Sequence, residues 1–202
     1  DLKPSAAASL GQVHRAIGHD GATLACKLQY PDMKSAVEAD LKQLDVLMAI
    51  HRRFNPVIDT REAAKEIGAR VREELDYRRE AKHAALYRYM LDGVDEVRVP
   101  GVHPELSTER LLTMDWLDGD KLLSFKTAPQ EVRDRIGVAM FKAWWLPFSR
   151  FGVIHGDPHL GNYTVFGSKA TPGEGINLLD YGCIRIFPPK FVGGVVDLYE
   201  GL

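Results

Sequence analysis

Asp157 and Asn162 stand five positions apart in HGDPHLGN, directly after the apolar run FGVIH, and Asp180 closes a second apolar run, INLLD, just before Tyr181-Gly182. Phosphoryl transfer uses this set of groups. One carboxylate orients or deprotonates the attacking hydroxyl, while an Asn and a second carboxylate hold Mg2+ against the phosphates. The order D-x4-N, strand, turn, strand, D-[FY]-G is that of a kinase catalytic loop followed by its metal loop. Either motif alone says little, because Asp, Asn, Pro and Gly also suit turns and caps. Both in order, with a hairpin between them, say much more. His155 suits a catalytic base or, more commonly, a structural histidine bonded to the loop backbone, and His159 is open in the same way.

Upstream, LACK places Lys27 on an otherwise apolar strand, where a lysine is costly to bury unless paired. Its expected partners are phosphate oxygens and a glutamate from a helix. The run EELDYRREA offers Glu73, Glu74, Asp76 and Glu80. On one continuous helix Asp76 and Glu80 share a face, and Glu74 lies about 120° round from Glu80. Glu80 is the expected ion-pair partner, and Glu66, Arg70 and Arg72 read as a solvated face. Before the strand-like QVHRA stands Ala6-Ala7-Ala8-Ser9, at a position where a phosphate-binding loop normally carries glycines. Glycine permits positive φ and close backbone approach, which alanine largely does not. An alanine loop here would be stiffer, with methyl groups crowding the phosphates; the other reading is the start of a helix.

These groups need a scaffold. QVHRAI, the turn GHDG and ATLACKLQY form a hairpin signal, with Gly18 and Gly21 in the turn. A helix follows from near Ser35, with Val37, Leu41, Leu44, Leu47 and Ile50 at helical spacing, and Asn55-Pro56 breaks it. One long helix is expected over residues 60–90, capped by Thr60, with Ile67, Val71 and Leu75 on one stripe and Leu91-Asp92-Gly93 as its stop. Strands are expected at 97–99 and 110–114, then a polar link over 115–120 that reads as a hinge, then a helix over 130–150. YTVF and INLLD make the last hairpin, around GSKATPGEG.

The bulk numbers set limits. A chain of 202 residues can bury a sizeable core as one large domain or two small lobes. A formal charge of −2 gives no basic surface that would point to nucleic acid as a partner. No apolar run approaches the ~20 residues that cross a bilayer; the longest, MFKAWWLPF, contains a proline. Cys26 and Cys183 lack metal-ligand spacing and read as small hydrophobes in a reducing compartment. The chain opens on Asp1 and closes inside the helix-like FVGGVVDLYEGL, which suggests a piece of a longer protein.

Five segments together, PSAAASLGQVHRA, LACKLQYP, EELDYRREA, HGDPHLGN and LLDYG, resemble the UbiB family of aarF-domain-containing atypical kinases associated with coenzyme Q biosynthesis. The resemblance runs over essentially the whole chain, and AAAS-GQVHRA and ELDYxxEA are its most specific parts. It implies an α+β, protein-kinase-like bilobal fold. Residues 1–115 would form an N-lobe with an antiparallel sheet, the alanine-rich loop and an inserted helix pair, and 116–202 the hinge and a truncated helical C-lobe. It implies ATP or ADP and Mg2+ as cofactors. The nucleotide would be held by Ala6, Ala7, Ala8, Ser9, Lys27, Met114 and Trp116. Lys27 would contact the α/β phosphates and pair with Glu80, Asp157 would be the catalytic base, and Asn162 and Asp180 would bind the metal. Glu74 and Asp76 would form the family's E-x-D motif, which normally meets a K-x-G-Q segment that this sequence does not contain. Leu160 replaces the usual proline of HGDPHPGN, and no A-P-E follows DYGCIRI.

The function so implied is a Mg2+-dependent ATPase that supports isoprenoid-quinone (ubiquinone) biosynthesis or lipid homeostasis. Its partners would be a membrane lipid or quinone precursor and quinone-biosynthesis proteins, not nucleic acid. Its place would be the bacterial cytoplasm, peripheral at the inner membrane, or a mitochondrial or plastid interior. Two alternatives share parts of the pattern. A small-molecule kinase of the aminoglycoside or choline type has the H-G-D-x4-N and D-[FY]-G elements but does not explain AAAS or ELDY. A non-catalytic nucleotide-binding scaffold does not need the full set of catalytic residue types.

Overall fold

The computed structural model describes residues 1–8, 10–54, 60–168 and 171–201. The alanine run is a strand, β1 (Ala6–Ala8), which pairs antiparallel with β2 (Gly11–Ile17), and β2 pairs with β3 (Thr23–Gln29). Gly21 takes φ +84° in the β2–β3 turn, a conformation glycine reaches without Cβ strain. Then come α1 (Met33–Phe54), α2 (Arg61–Glu74) and α3 (Tyr77–Met90). β4 (Val97–Arg98) and β5 (Leu111–Asp115) follow, and β5 completes an antiparallel sheet of order β1-β2-β3-β5.

After the link come β6 (Asp120–Lys121), α4 (Gln130–Phe151), β7 (Val153–His155), β8 (Tyr163–Phe166), β9 (Gly175–Leu178), β10 (Ile184–Ile186) and α5 (Pro189–Glu200). A second sheet has the order β4-β9-β8-β6, and β10 pairs with β7 alone. β4, although it precedes β5 in the chain, lies parallel to β9 in this second sheet. The main core lies here: Ala84, Tyr87 and Met90 of α3 pack with Ile136, Ala139 and Ala143 of α4 and with Val165, Ile176 and Leu178 of the sheet. Removing an Ile or Leu side chain of this kind from water contributes about 2 kcal/mol.

The single helix expected over residues 60–90 is two helices. Asp76 stops the first and starts the second: its Oδ1 accepts the Arg79 N–H at 3.0 Å as the N-cap of α3. Thr60 makes no such side-chain bond to α2. Asp76 and Glu80 therefore do not share a helical face, because Asp76 is outside the helix. Between α1 and α2 the apolar stripe also differs from expectation. Val37 and Leu41 are buried as expected, but Leu47, Ile50 and Ile67 are exposed and Leu44, Val71 and Leu75 half-buried, while Ala64 and Gly68 are the buried positions of α2. The helices meet through small residues: Leu41 lies over Gly68, where an added Cβ would be in ordinary van der Waals contact with the Leu41 methyls at 3.8 Å. Asn55-Pro56 lies outside the described residues, as do parts of the β8–β9 turn.

Candidate active site

Lys27 enters from β3, and its ammonium lies between two carboxylates. Nζ donates to Glu80 Oε1 at 2.6 Å and to Asp180 Oδ2 at 3.0 Å. The register explains the placement: Lys27 sits opposite Leu112 and Val13, on the sheet face against which α3 packs. Lys27 is 9% exposed and Glu80 2%, so each charge is buried and relies on the other. Burial alone would lower the lysine pKa, but the Glu80 and Asp180 charges outweigh it and hold it above its ordinary value. Burial pushes the Glu80 carboxyl up, against the pull of Lys27. Asp180, although burial works against it, is held below the usual carboxylate range by Lys27 and the Gly182 N–H. The Tyr77 ring closes the pocket with its centroid 5.4 Å from Nζ, and burial pushes its hydroxyl up to about 12, so it stays protonated.

The catalytic-type and metal-type loops are joined through one imidazole. His155 Nε2 donates to the Asp180 carbonyl at 2.7 Å, while its Nδ1 accepts from the Asp157 N–H at 3.3 Å. That pattern requires a neutral ring with its proton on Nε2, which makes His155 a backbone brace. His159 has a similar structural use, its Nδ1 accepting the Gly161 N–H at 3.1 Å. Asn162 Nδ2 donates to Asp157 Oδ2 at 2.8 Å, which fixes both side chains and leaves the Asn162 amide oxygen for another partner. Leu160 is an exposed residue of this loop, away from these bonds.

The D-Y-G segment is anchored at three points. Tyr181 is fully buried, donates its hydroxyl to the Leu178 carbonyl at 2.7 Å and packs on Tyr87. His83 Nδ1 donates to the Tyr181 carbonyl at 3.0 Å, and the Gly182 N–H bonds Asp180 Oδ1 at 3.0 Å. His83 was not legible as a site residue in the sequence, although its place three after Glu80 on one helix is the spacing that puts both on one face.

Asp180 and Asn162 offer a carboxylate and an amide oxygen, a hard donor set of the kind Mg2+ takes when phosphates and water supply the remaining ligands. Among the described residues no group of three or more His, Cys, Asp or Glu could hold a metal unaided.

The other expected positions are spread around this centre. Ala6 lies opposite Val13, on the Lys27 face, whereas Ala7 lies opposite Gln12, on the other face. Any contact of Ala7 with a ligand in the cleft would thus be through its backbone. Ala8 pairs with Gly11, and Ser9 lies outside the described residues. Met114 is opposite Ala25, buried, on the same face as Lys27 and packed with Tyr77 and Leu112. Trp116 follows β5, donates its backbone N–H to Thr23 and its indole N–H to Asp118, and lies under Arg15. Glu74, the last residue of α2, and the cap residue Asp76 are both exposed; the carboxylate partners of Lys27 are Glu80 and Asp180 instead.

A further charged pair anchors the end of β5. Asp115 accepts the Gly101 N–H at 2.8 Å and His103 Nε2 at 2.9 Å, while His103 Nδ1 faces Glu105 at 3.4 Å. The Asp115 hydrogen bond raises the His103 pKa above its ordinary value. A raised histidine stabilises the fold fully below its unfolded pKa, about 6.5, and loses that contribution as pH rises through the folded value. Wild type should therefore exceed His103→Gln in melting temperature by more at pH 5.5 than at pH 9. An equal gap at both values would show that the pair is uncharged.

A strand sheet carrying a buried lysine, a helix pairing with it, and two loops on which Asp, Asn and Asp converge define a protein-kinase-like domain. The chain belongs to the ABC1 atypical kinase-like domain family, whose profile matches residues 1–202. It is 30% identical to mouse (Mus musculus) AarF domain-containing protein kinase 1, over 100% of this chain and 39% of that protein. It is also 30% identical to the mitochondrial atypical kinase coq-8 of Caenorhabditis elegans, over 100% of this chain and 26% of the relative. The structure is similar to that of Rv3197 in its erythromycin complex, from Mycobacterium tuberculosis, with TM-score 0.81 and 29% identity over 95% of this chain and 48% of that one. The chain thus spans about a quarter to a half of the length of these proteins.

Proposed function

We propose that this domain binds ATP with Mg2+ in the cleft between its N-terminal sheet and the loops of its second half, and supports γ-phosphoryl transfer to water or a small acceptor. The observation that carries the reading is the Lys27 ammonium held by Glu80 on one side and Asp180 on the other, on a domain whose Asp157 and Asn162 are joined to Asp180 through His155. In this reading residues 1–115 act as the N-lobe and 116–202 as hinge and partial C-lobe. Lys27 engages the α/β phosphates while Glu80 keeps its Nζ aimed at them. Asp157 orients the attacking hydroxyl and accepts its proton. Asn162 and Asp180 hold Mg2+, which supplies positive charge against the phosphate oxygens. Ala6 to Ser9 cover the phosphates, and Met114 and Trp116 border the base.

The resemblance to the UbiB family, with a mitochondrial atypical kinase coq-8 among the relatives, is the ground for proposing a role in isoprenoid-quinone biosynthesis or lipid homeostasis, with a lipid or quinone precursor as partner and a site of action at a membrane surface. No described helix is long and apolar enough to cross a membrane. The test is ATP turnover by the full-length protein, with and without phenolic lipids and membranes. Asp157→Asn should lower kcat by about a hundredfold or more, the usual worth of a positioned general base. Turnover equal to wild type would overturn the assignment.

A further inference from the structure

Glu73 gathers three guanidinium groups from three different elements. Its Oε2 accepts from Arg70 Nη1 at 2.7 Å, one turn back on α2. Its Oε1 pairs with Arg79 Nη1 at 2.7 Å, across the elbow on α3. Its Oε2 also faces Arg185 Nη1 on β10 at 3.6 Å. The Glu73 side chain is only 19% exposed, so this knot is not one of the open surface pairs that contribute little. Burial would raise its carboxyl pKa, yet Arg70 and Arg79 hold it below the ordinary range.

The position of the two distant arginines matters more than their number. Arg79 directly precedes Glu80 on α3. Arg185 lies five residues after Asp180 and pairs in the β10–β7 ladder with Ile154, next to His155. Glu73 therefore bonds the helix that carries Glu80 and makes a longer charge contact, 3.6 Å, with the strand pair that carries both loops, where Arg185 Nη1 is itself held by the Ile184 carbonyl at 3.0 Å. His83 makes a second tie from α3 to the same segment, at the Tyr181 carbonyl. Lys27 is held between one residue from each side of that junction, so its aim depends on the spacing Glu73 sets.

We propose that Glu73 is a positioning residue that, through Arg79 and Arg185, fixes the spacing between the Glu80-bearing helix and the Asp180-bearing loop. The assignment rests on the Mg2+–nucleotide reading above. It also makes the α1–α2 pair a mechanical part of the site, since Glu73 belongs to α2.

The experiment is calorimetric titration of ATP, with Mg2+ and with EDTA, into the full-length wild type, Glu73→Gln, Arg185→Gln, the double variant and Asp180→Asn, with melting temperatures alongside. Glu73→Gln and Arg185→Gln should each weaken Mg2+·ATP binding about fivefold, and the double variant no more than either, the signature of two residues acting as one unit. Metal-free ATP should be affected less than Mg2+·ATP. Arg185→Gln carries the test if Glu73→Gln does not fold. A lowered melting temperature with Mg2+·ATP affinity within twofold of wild type would make the knot merely structural and overturn the assignment. Additive losses in the double variant would overturn it too. A wild type whose ATP affinity ignores Mg2+, as Asp180→Asn should, would instead overturn the nucleotide reading and this role with it.

Discussion

Asp180→Asn should abolish Mg2+-supported ATP turnover, lowering kcat by about a thousandfold or more while the fold persists. The reason lies in what Asp180 touches. Its Oδ2 takes the Lys27 ammonium at 3.0 Å and its Oδ1 the Gly182 N–H at 3.0 Å. An asparagine can keep one of these bonds through its amide oxygen, so the D-Y-G turn survives, and Tyr181 remains anchored by its own buried hydroxyl bond. What disappears is the negative charge against which a divalent cation would be held. Lys27 retains Glu80 at 2.6 Å and so is not left as an isolated buried charge. The measurement is steady-state turnover beside thermal melting: lost activity with a melting temperature close to wild type is expected. Turnover within tenfold of wild type would contradict the metal assignment.

Glu80→Gln should cost stability more than any other single change in the cleft, about 3 kcal/mol. Lys27 is 9% exposed, and removing its nearer carboxylate leaves a buried ammonium with Asp180 alone. Breaking one side of a buried pair leaves an uncompensated charge, whereas replacing both sides with apolar groups can be nearly neutral. The melting temperature of Glu80→Gln should therefore fall by about 6–12 °C for a domain of this size. Lys27→Met in the Glu80→Gln background should recover part of that loss, because the buried ammonium is gone and the charge that remains, Asp180, is the more exposed of the two carboxylates. A double variant less stable than Glu80→Gln would show that the pair contributes net stability, and a single-variant loss below about 1 kcal/mol would show that the pair is solvated.

The catalytic-type residues were legible because phosphoryl chemistry requires fixed residue types at fixed spacing. Asp157, Asn162 and Asp180 are local motifs on strand ends, and the period-2 and turn signals of the β2–β3 hairpin place Lys27 on its strand. Glu80 was legible as well, since a buried lysine needs a carboxylate and a helix nearby offers one. The α2–α3 break was not, because Asp76 can either continue a charged helix or cap one, and only the observed bond to the Arg79 N–H decides. The α1–α2 packing was hidden for a similar reason: apolar spacing marks Leu47 and Ile50, but burial follows the small residues Ala64 and Gly68. The contacts of Glu73, His83 and His103 join elements distant in sequence. No local periodicity carries such contacts, so they become visible only when β10, α3 and β5 are assembled.

If the Lys27–Glu80–Asp180 arrangement is a Mg2+–nucleotide site, ATP affinity must depend on the metal. Titrated with and without Mg2+, the wild type should bind ATP at least about tenfold more tightly with the metal, a coupling of about 1.4 kcal/mol. That difference should vanish in Asp180→Asn and persist in His103→Gln, whose substitution lies outside the cluster. An ATP affinity indifferent to Mg2+ in the wild type, or a metal dependence that survives Asp180→Asn, would show that these residues do not form such a site.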